Sequence, residues 1–77
     1  MPQVSVREVQ PRAQKALANS PILELRVLRV DQQNGSIFIS GSVSSFYHKQ
    51  LAQEAVRAVC KECNDVEVEV VNRIRVR

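Results

Sequence analysis

The sequence predicts an α+β fold. It should be a two-layer α/β sandwich in the order α-β-β-α-β, with a three-stranded mixed sheet and both helices on one face. Two observations carry this reading. Two segments repeat apolar residues at helical spacing, and three others alternate apolar with polar residues at the period of a strand. Each of those strands has only one apolar face, so both helices should cover the same side and leave the other open. Length sets the scale. Seventy-seven residues make a single domain over 1–77, with a core from about residue 6 and a flexible lead-in over 1–5. A chain of this size buries roughly 60% of its unfolded surface, which excludes a multidomain enzyme, a repeat array and a large enclosed active site.

The first helix runs from about Val6 to Ala18. Val6, Val9, Ala13, Ala16 and Leu17 recur on one side, with Arg7, Arg12, Gln14 and Lys15 between them. Ser5 with Glu8 resembles a capping box, whereas Pro11 suits a first helical position. Either the helix starts early and bends at Pro11, or it starts there. Asn19, which tolerates a left-handed conformation, and Pro21, which cannot continue a helix, end it.

Leu23 to Val30 reads as a strand with a fault. Leu23, Leu25 and Val27 alternate with Glu24 and Arg26, and then Leu28 and Val30 fall out of phase. A β-bulge produces such a shift; alternatively the regular strand begins only near Arg26. Asp31 to Gly35 forms the hairpin connection, since Asn-Gly supplies positive φ. The second strand, Ser36 to about Val43, places Ile37, Ile39, Gly41 and Val43 on one face and Phe38 on the other. Gly41 on the apolar face suggests that a helix backbone passes close by. Ser44 or Ser45 then caps a second helix carrying Leu51, Ala52, Ala55, Val56 and Val59 on one side, and Asn64 or Asp65 ends it. From Val66 to Arg77 the even positions are apolar except Asn72, and the odd positions read Glu67, Glu69, Val71, Arg73, Arg75, Arg77. This is a half-buried strand, parallel to the second because a helix connects them.

The run LRVDQQNGSIFISGSVSS and the ending VVNRIRV resemble the BON domain. Leu28, Val30, Gly35, Ile37, Ile39, Gly41 and Val43 match the pattern of its first two strands. Lys49, Ala52 and Ala55 match the early second helix; Val70, Asn72, Ile74 and Val76 match the closing strand. Ala16, Leu17, Ser20 and Pro21 suit the first helix. The resemblance covers the chain from about Val9 onward. It departs where the family often has Gly-Val before the last strand, for Asn64-Asp65-Val66 stands here with one more residue before Asn72. The resemblance implies an attachment role in bacterial envelope or osmotic-stress proteins: binding phospholipid surfaces, or docking a protein near the membrane. It implies Gly35, Gly41 and Asn72 as structural positions, an envelope or periplasmic setting, and no catalytic residues.

Candidate sites follow from the residues themselves. Charged residues make up 25% of the chain, and eleven Lys and Arg against eight Asp and Glu leave a net charge of +3. Arg73, Arg75 and Arg77 supply that whole excess. They share one face of one strand, ~6.6–7 Å apart in steps of two residues, on the side the helices leave open. Arg26 or Arg29 joins them from the first strand, and Phe38 from the second. Such a face can meet lipid phosphates or an acidic protein. The plainer alternative is a solvated face on which Glu67 and Glu69 pair with Arg26 or Arg29. Phe46 and Tyr47 are adjacent at the start of the second helix, so one should be exposed, as at a membrane interface, or else packed against the end of the first helix or a loop.

Other motifs carry less. Cys60-Lys61-Glu62-Cys63 sits at a helix C-terminus, where the dipole disfavours thiolate, so its cysteines read first as small core-edge residues, with a redox or metal pair and an interchain disulfide as the lesser alternatives. His48, the single histidine, has no carboxylate or nucleophile at a telling interval. No nucleophile triad, phosphate loop or carboxylate pair can be assembled. The chain is therefore read as a non-enzyme with no metal and no cofactor. Two cysteines are too few for a disulfide scaffold, and no apolar run approaches the ~18 residues of a span. A cytoplasmic protein, a mature chain after cleavage, or a domain of a longer chain all fit. Three functions compete: a phospholipid-attachment module, a protein-interaction or self-association module using an edge strand, and a nucleic-acid binder. Modest charge and the lack of a Gly-x-x-Gly clamp weigh against the last.

Overall fold

A computed structural model describes residues 6–62 and 68–77. Helix α1 spans Val6–Ala18, the short helix α2 spans Leu23–Arg26, and strands β1 and β2 span Arg29–Gln33 and Ser36–Val43. Helix α3 spans Phe46–Glu62, and β3 spans Glu69–Val76. The sheet order is β1-β2-β3. β1 pairs antiparallel with β2, and β2 pairs parallel with β3. The expected α-β-β-α-β order holds, with one short helix inserted. The lead-in over 1–5, Cys63, the helix end at Asn64 or Asp65, and the strand start at Val66 and Glu67 lie outside the described residues.

The alternation in β2 and β3 sends Ile37, Ile39, Val43 and Ile74 into the core, where they meet Val9, Ala13 and Leu17 of α1 and Ala52, Val56 and Val59 of α3. Both helices therefore cover the same face. Helix α1 starts before Pro11, and the proline lies inside it, exposed to solvent. Asn19 does not take a left-handed conformation: among the described residues, Asn34 (φ 54°) is the one non-glycine with positive φ. Asn19 N instead donates to Lys15 O at 2.9 Å, and the Ser20 hydroxyl turns the chain by accepting from Ile22 N at 3.1 Å. Ser45 rather than Ser44 caps α3, its hydroxyl accepting from His48 N at 3.2 Å.

The expected strand over Leu23–Val30 is the main correction. There is no bulge; the phase shift marks a change from helix to strand. Leu25 N donates to Ile22 O and Leu28 N to Leu25 O, so the segment winds through one turn. Leu25 and Leu28, three apart, enter the core, while Leu23 and Val27 point outward at 71% and 79% exposure. Leu, Glu and Arg all favour helix, and a short apolar run cannot be assigned by alternation alone. The hairpin is also tighter than expected. β1 continues to Gln33, which pairs with Ser36, so Asn34-Gly35 alone make the turn. Asn34 carries the positive φ there.

Gly41 has φ +131°, and a Cβ on it would lie 2.7 Å from Leu28 Cδ2. The close neighbour is thus the Leu28 side chain, not a helix backbone. Gly41 lies one residue beyond the last pair of the β1–β2 ladder, Arg29 with Ser40, beside Leu28 in the link between α2 and β1, while β2 itself continues to Val43 along β3. Gly35 differs: a Cβ there would meet nothing within 4 Å. Asn72 lies on the inner face of β3 and ties it to α3. Its Nδ2 donates to Lys49 O and Gln53 Oε1, both at 3.1 Å, and its Oδ1 accepts from Ile74 N at 3.0 Å.

Candidate functional site

Two surfaces gather the sequence-predicted residues. The first is the end of the molecule where α2 meets the start of α3. Glu24 organises it. Its Oε1 accepts from Ser44 N at 3.1 Å, Ser44 Oγ at 2.8 Å and His48 Nδ1 at 2.6 Å, and its Oε2 accepts from Arg77 Nη2. An ionised carboxylate only accepts, so His48 carries a proton on Nδ1. These donors stabilise the charged form, the Ser44 backbone N–H most, and hold the Glu24 carboxyl at about 2 against an ordinary 4.5. One side chain thereby joins α2, the β2–α3 connection, α3 and the chain following β3. His48 has a carboxylate partner after all, 24 residues away in sequence, a distance at which no local spacing could show it.

Around this clamp stand the large apolar side chains that the core leaves out. Phe46 is 75% exposed and Tyr47 69%, so both aromatics face solvent rather than one. Leu23 flanks Glu24 directly, and Val27 caps the same short helix. The sequence reading placed these two on a strand, and good helix formers after Pro21 were the signal that could have corrected it. Basic groups surround the cluster. Lys49 Nζ lies 6.0 Å from the Phe46 ring centroid. Arg26 is on α2, not on the sheet, and its Nε donates to Ser20 O at 2.7 Å. Arg77, expected on the open face, is drawn to Glu24.

The second surface is the open face of the sheet. Register places Arg29, Ser40 and Arg73 in one row across the three strands, and Ser42 beside Arg75 in the next. The Arg73 guanidinium carbon sits 4.6 Å from the Phe38 ring centroid, a cation–π contact. Arg29 is within 3.8 Å of Asp31. The expected pairing of acidic β3 residues with Arg26 or Arg29 does not form at Glu69, because β2 separates β1 from β3. Glu69 instead accepts from Ser36 Oγ at 3.1 Å, and Glu67 lies outside the described residues. Of the residues expected on this face, Arg29, Arg73, Arg75 and Phe38 stay together there, while Arg26 and Arg77 join Phe46 and Tyr47, expected apart from it, at the other surface.

Cys60 lies half-buried in the last turn of α3, packed against the core. Among the described residues, no three His, Cys, Asp or Glu side chains come together as metal ligands. No helix among them is long and apolar enough to cross a membrane.

The family profile described as BON domain matches residues 5–77. The chain belongs to the BON family. BON domains are non-catalytic binding modules, associated with phospholipid and with osmotic stress. None of the curated proteins compared with this BON domain matches it. The match takes in all six elements and both surfaces, so neither is an addition outside the domain.

Proposed function

We propose that this BON domain is a non-catalytic attachment module that docks on anionic phospholipid surfaces through the α2–α3 end. One observation carries the reading: Leu23, Val27, Phe46 and Tyr47 are 69–79% exposed on two elements that Glu24 clamps together. A small domain gains nothing in water by exposing four large apolar groups at one end. At a bilayer interface the same groups enter the headgroup region, where aromatic rings are well placed. Arg26 and Lys49 beside them meet anionic headgroups, worth about 1 kcal/mol per basic residue close to the surface. Holding the two elements that carry them together through Glu24 avoids a backbone ordering cost on docking.

Vesicle co-sedimentation tests the reading, with phosphatidylcholine alone and with added phosphatidylglycerol, at low and moderate salt. The domain should pellet with the anionic vesicles and less so as salt rises. A Phe46→Ser, Tyr47→Ser variant should lose most of this binding while keeping its circular dichroism spectrum. Failure to pellet under any condition, or undiminished binding by the variant, would sink the proposal.

A further inference from the structure

The two outer strands of the sheet are finished differently. At β1, helix α1 closes the edge with carboxamides. Gln10 Nε2 donates to Val30 O at 2.6 Å and Gln14 Nε2 to Leu28 O at 2.9 Å, while Gln14 Oε1 accepts from Val30 N at 2.8 Å. These bonds occupy groups that another strand would need.

β3 is more open. In a parallel ladder, alternate residues direct both N–H and C=O to the neighbouring strand, and the residues between direct theirs outward. Glu69 N donates to Gly35 O and Arg77 N to Val43 O, so the odd residues face β2. Val70, Asn72, Ile74 and Val76 therefore present their backbone groups outward. Among the described residues, only the Ile74 N–H of this outward set has a partner, Asn72 Oδ1.

We infer that the outer edge of β3 docks an extended segment of another protein in which acidic and apolar residues alternate, adding it as a fourth strand. Period two sets the chemistry. An added strand would send alternate side chains to the inner face, beside Val70, Ile74 and Val76, and the others to the open face, beside Arg73 and Arg75. Both arginines are exposed, and Arg75 forms no ion pair with a described residue. Acidic side chains on the open face complement them, and basic ones are repelled. Backbone hydrogen bonds supply the attachment and the arginine pair supplies the selection.

A second copy of this chain fits the edge less well. Its β3 has acidic and basic positions of its own, but α3 packs over β3, held there by the Asn72 bonds. A two-fold axis at the edge would set the β3 strands ~4.8 Å apart. The two α3 helices above them would then fall well inside the 8–10 Å that packed helices require. A segment with no helix of its own meets no such obstacle.

The test is a fluorescence-anisotropy titration of the whole domain with a short labelled peptide alternating valine and glutamate. One control alternates valine and lysine; a second keeps the glutamates but replaces the valines with proline, which cannot donate to a ladder. The valine–glutamate peptide should bind saturably, and neither control should. Amide hydrogen exchange should slow at Val70, Asn72 and Val76. An Arg73→Glu, Arg75→Glu variant should bind at least ten-fold more weakly and should accept the valine–lysine peptide instead. The inference is overturned by equal binding of the proline peptide, by protection elsewhere, or by no binding at all. It is also overturned if the domain alone dimerises with those amides protected, since the edge would then belong to a second copy. Loss of vesicle binding in the arginine variant without loss of peptide binding would assign the arginine pair to lipid headgroups and overturn it as well.

Discussion

Replacing Gly41 with alanine is the sharpest test of how the sheet end is built. The new Cβ would lie 2.7 Å from Leu28 Cδ2, closer than real side chains tolerate. Leu28 is 2% exposed, so it has no solvent to swing into and must displace its core neighbours. Overpacking of this kind costs about 1–3 kcal/mol. Alanine at φ +131° adds backbone strain of about 1–3 kcal/mol. The sum, about 2–6 kcal/mol, is a large part of the roughly 4–12 kcal/mol expected for a domain of this length. Thermal unfolding followed by circular dichroism should show a midpoint lower by at least about 8 °C, at about 4–8 °C per kcal/mol. Gly35→Ala is the control, since its Cβ would meet nothing within 4 Å, and it should stay within about 0.5 kcal/mol of the parent. Leu28→Val in the Gly41→Ala background removes the clashing atom and should recover part of the loss, giving a favourable coupling in a double-mutant cycle. If Gly41→Ala matches the parent, or the Leu28 change is purely additive, the close contact is not what requires glycine there.

Two further predictions rest on side-chain hydrogen bonds. Asn72→Ala removes the bonds to Lys49 O and Gln53 Oε1 and the one from Ile74 N and should cost about 1–3 kcal/mol in urea unfolding, with faster amide exchange at Ile74. Glu24 should give acid sensitivity. Its carboxyl is held at about 2 in the fold against 4.5 ordinarily, so its contribution is complete above 4.5 and is lost as pH falls toward 2. The gap in midpoint temperature between the parent and Glu24→Gln should therefore close over that window; a gap independent of pH would exclude the clamp as its source.

Local periodicity determines a good deal of this protein. Alternation from Val68 to Val76 and the apolar spacing of α1 and α3 fix which faces are buried, because one strand or helix can hide its apolar stripe in only one direction. From these the fold class, the open sheet face and the places of Phe38, Arg73 and Arg75 on it follow. The segment from Leu23 to Val30 escapes this logic. Its apolar residues suit either period, and the structure resolves it by what it packs against: Leu25 and Leu28 meet the core, and Leu28 meets Gly41. Only the tertiary structure brings Glu24 to Ser44, His48 and Arg77, draws Arg77 off the sheet face, and sets Leu23 and Val27 at the same end as Phe46 and Tyr47. It alone also closes the β1 edge with Gln10 and Gln14 while β3 keeps outward-facing backbone groups. The physical reason is the same in each case: these partners stand 14 to 53 residues apart, and no hydrogen-bond donor in a sequence announces which distant acceptor the fold will bring to it.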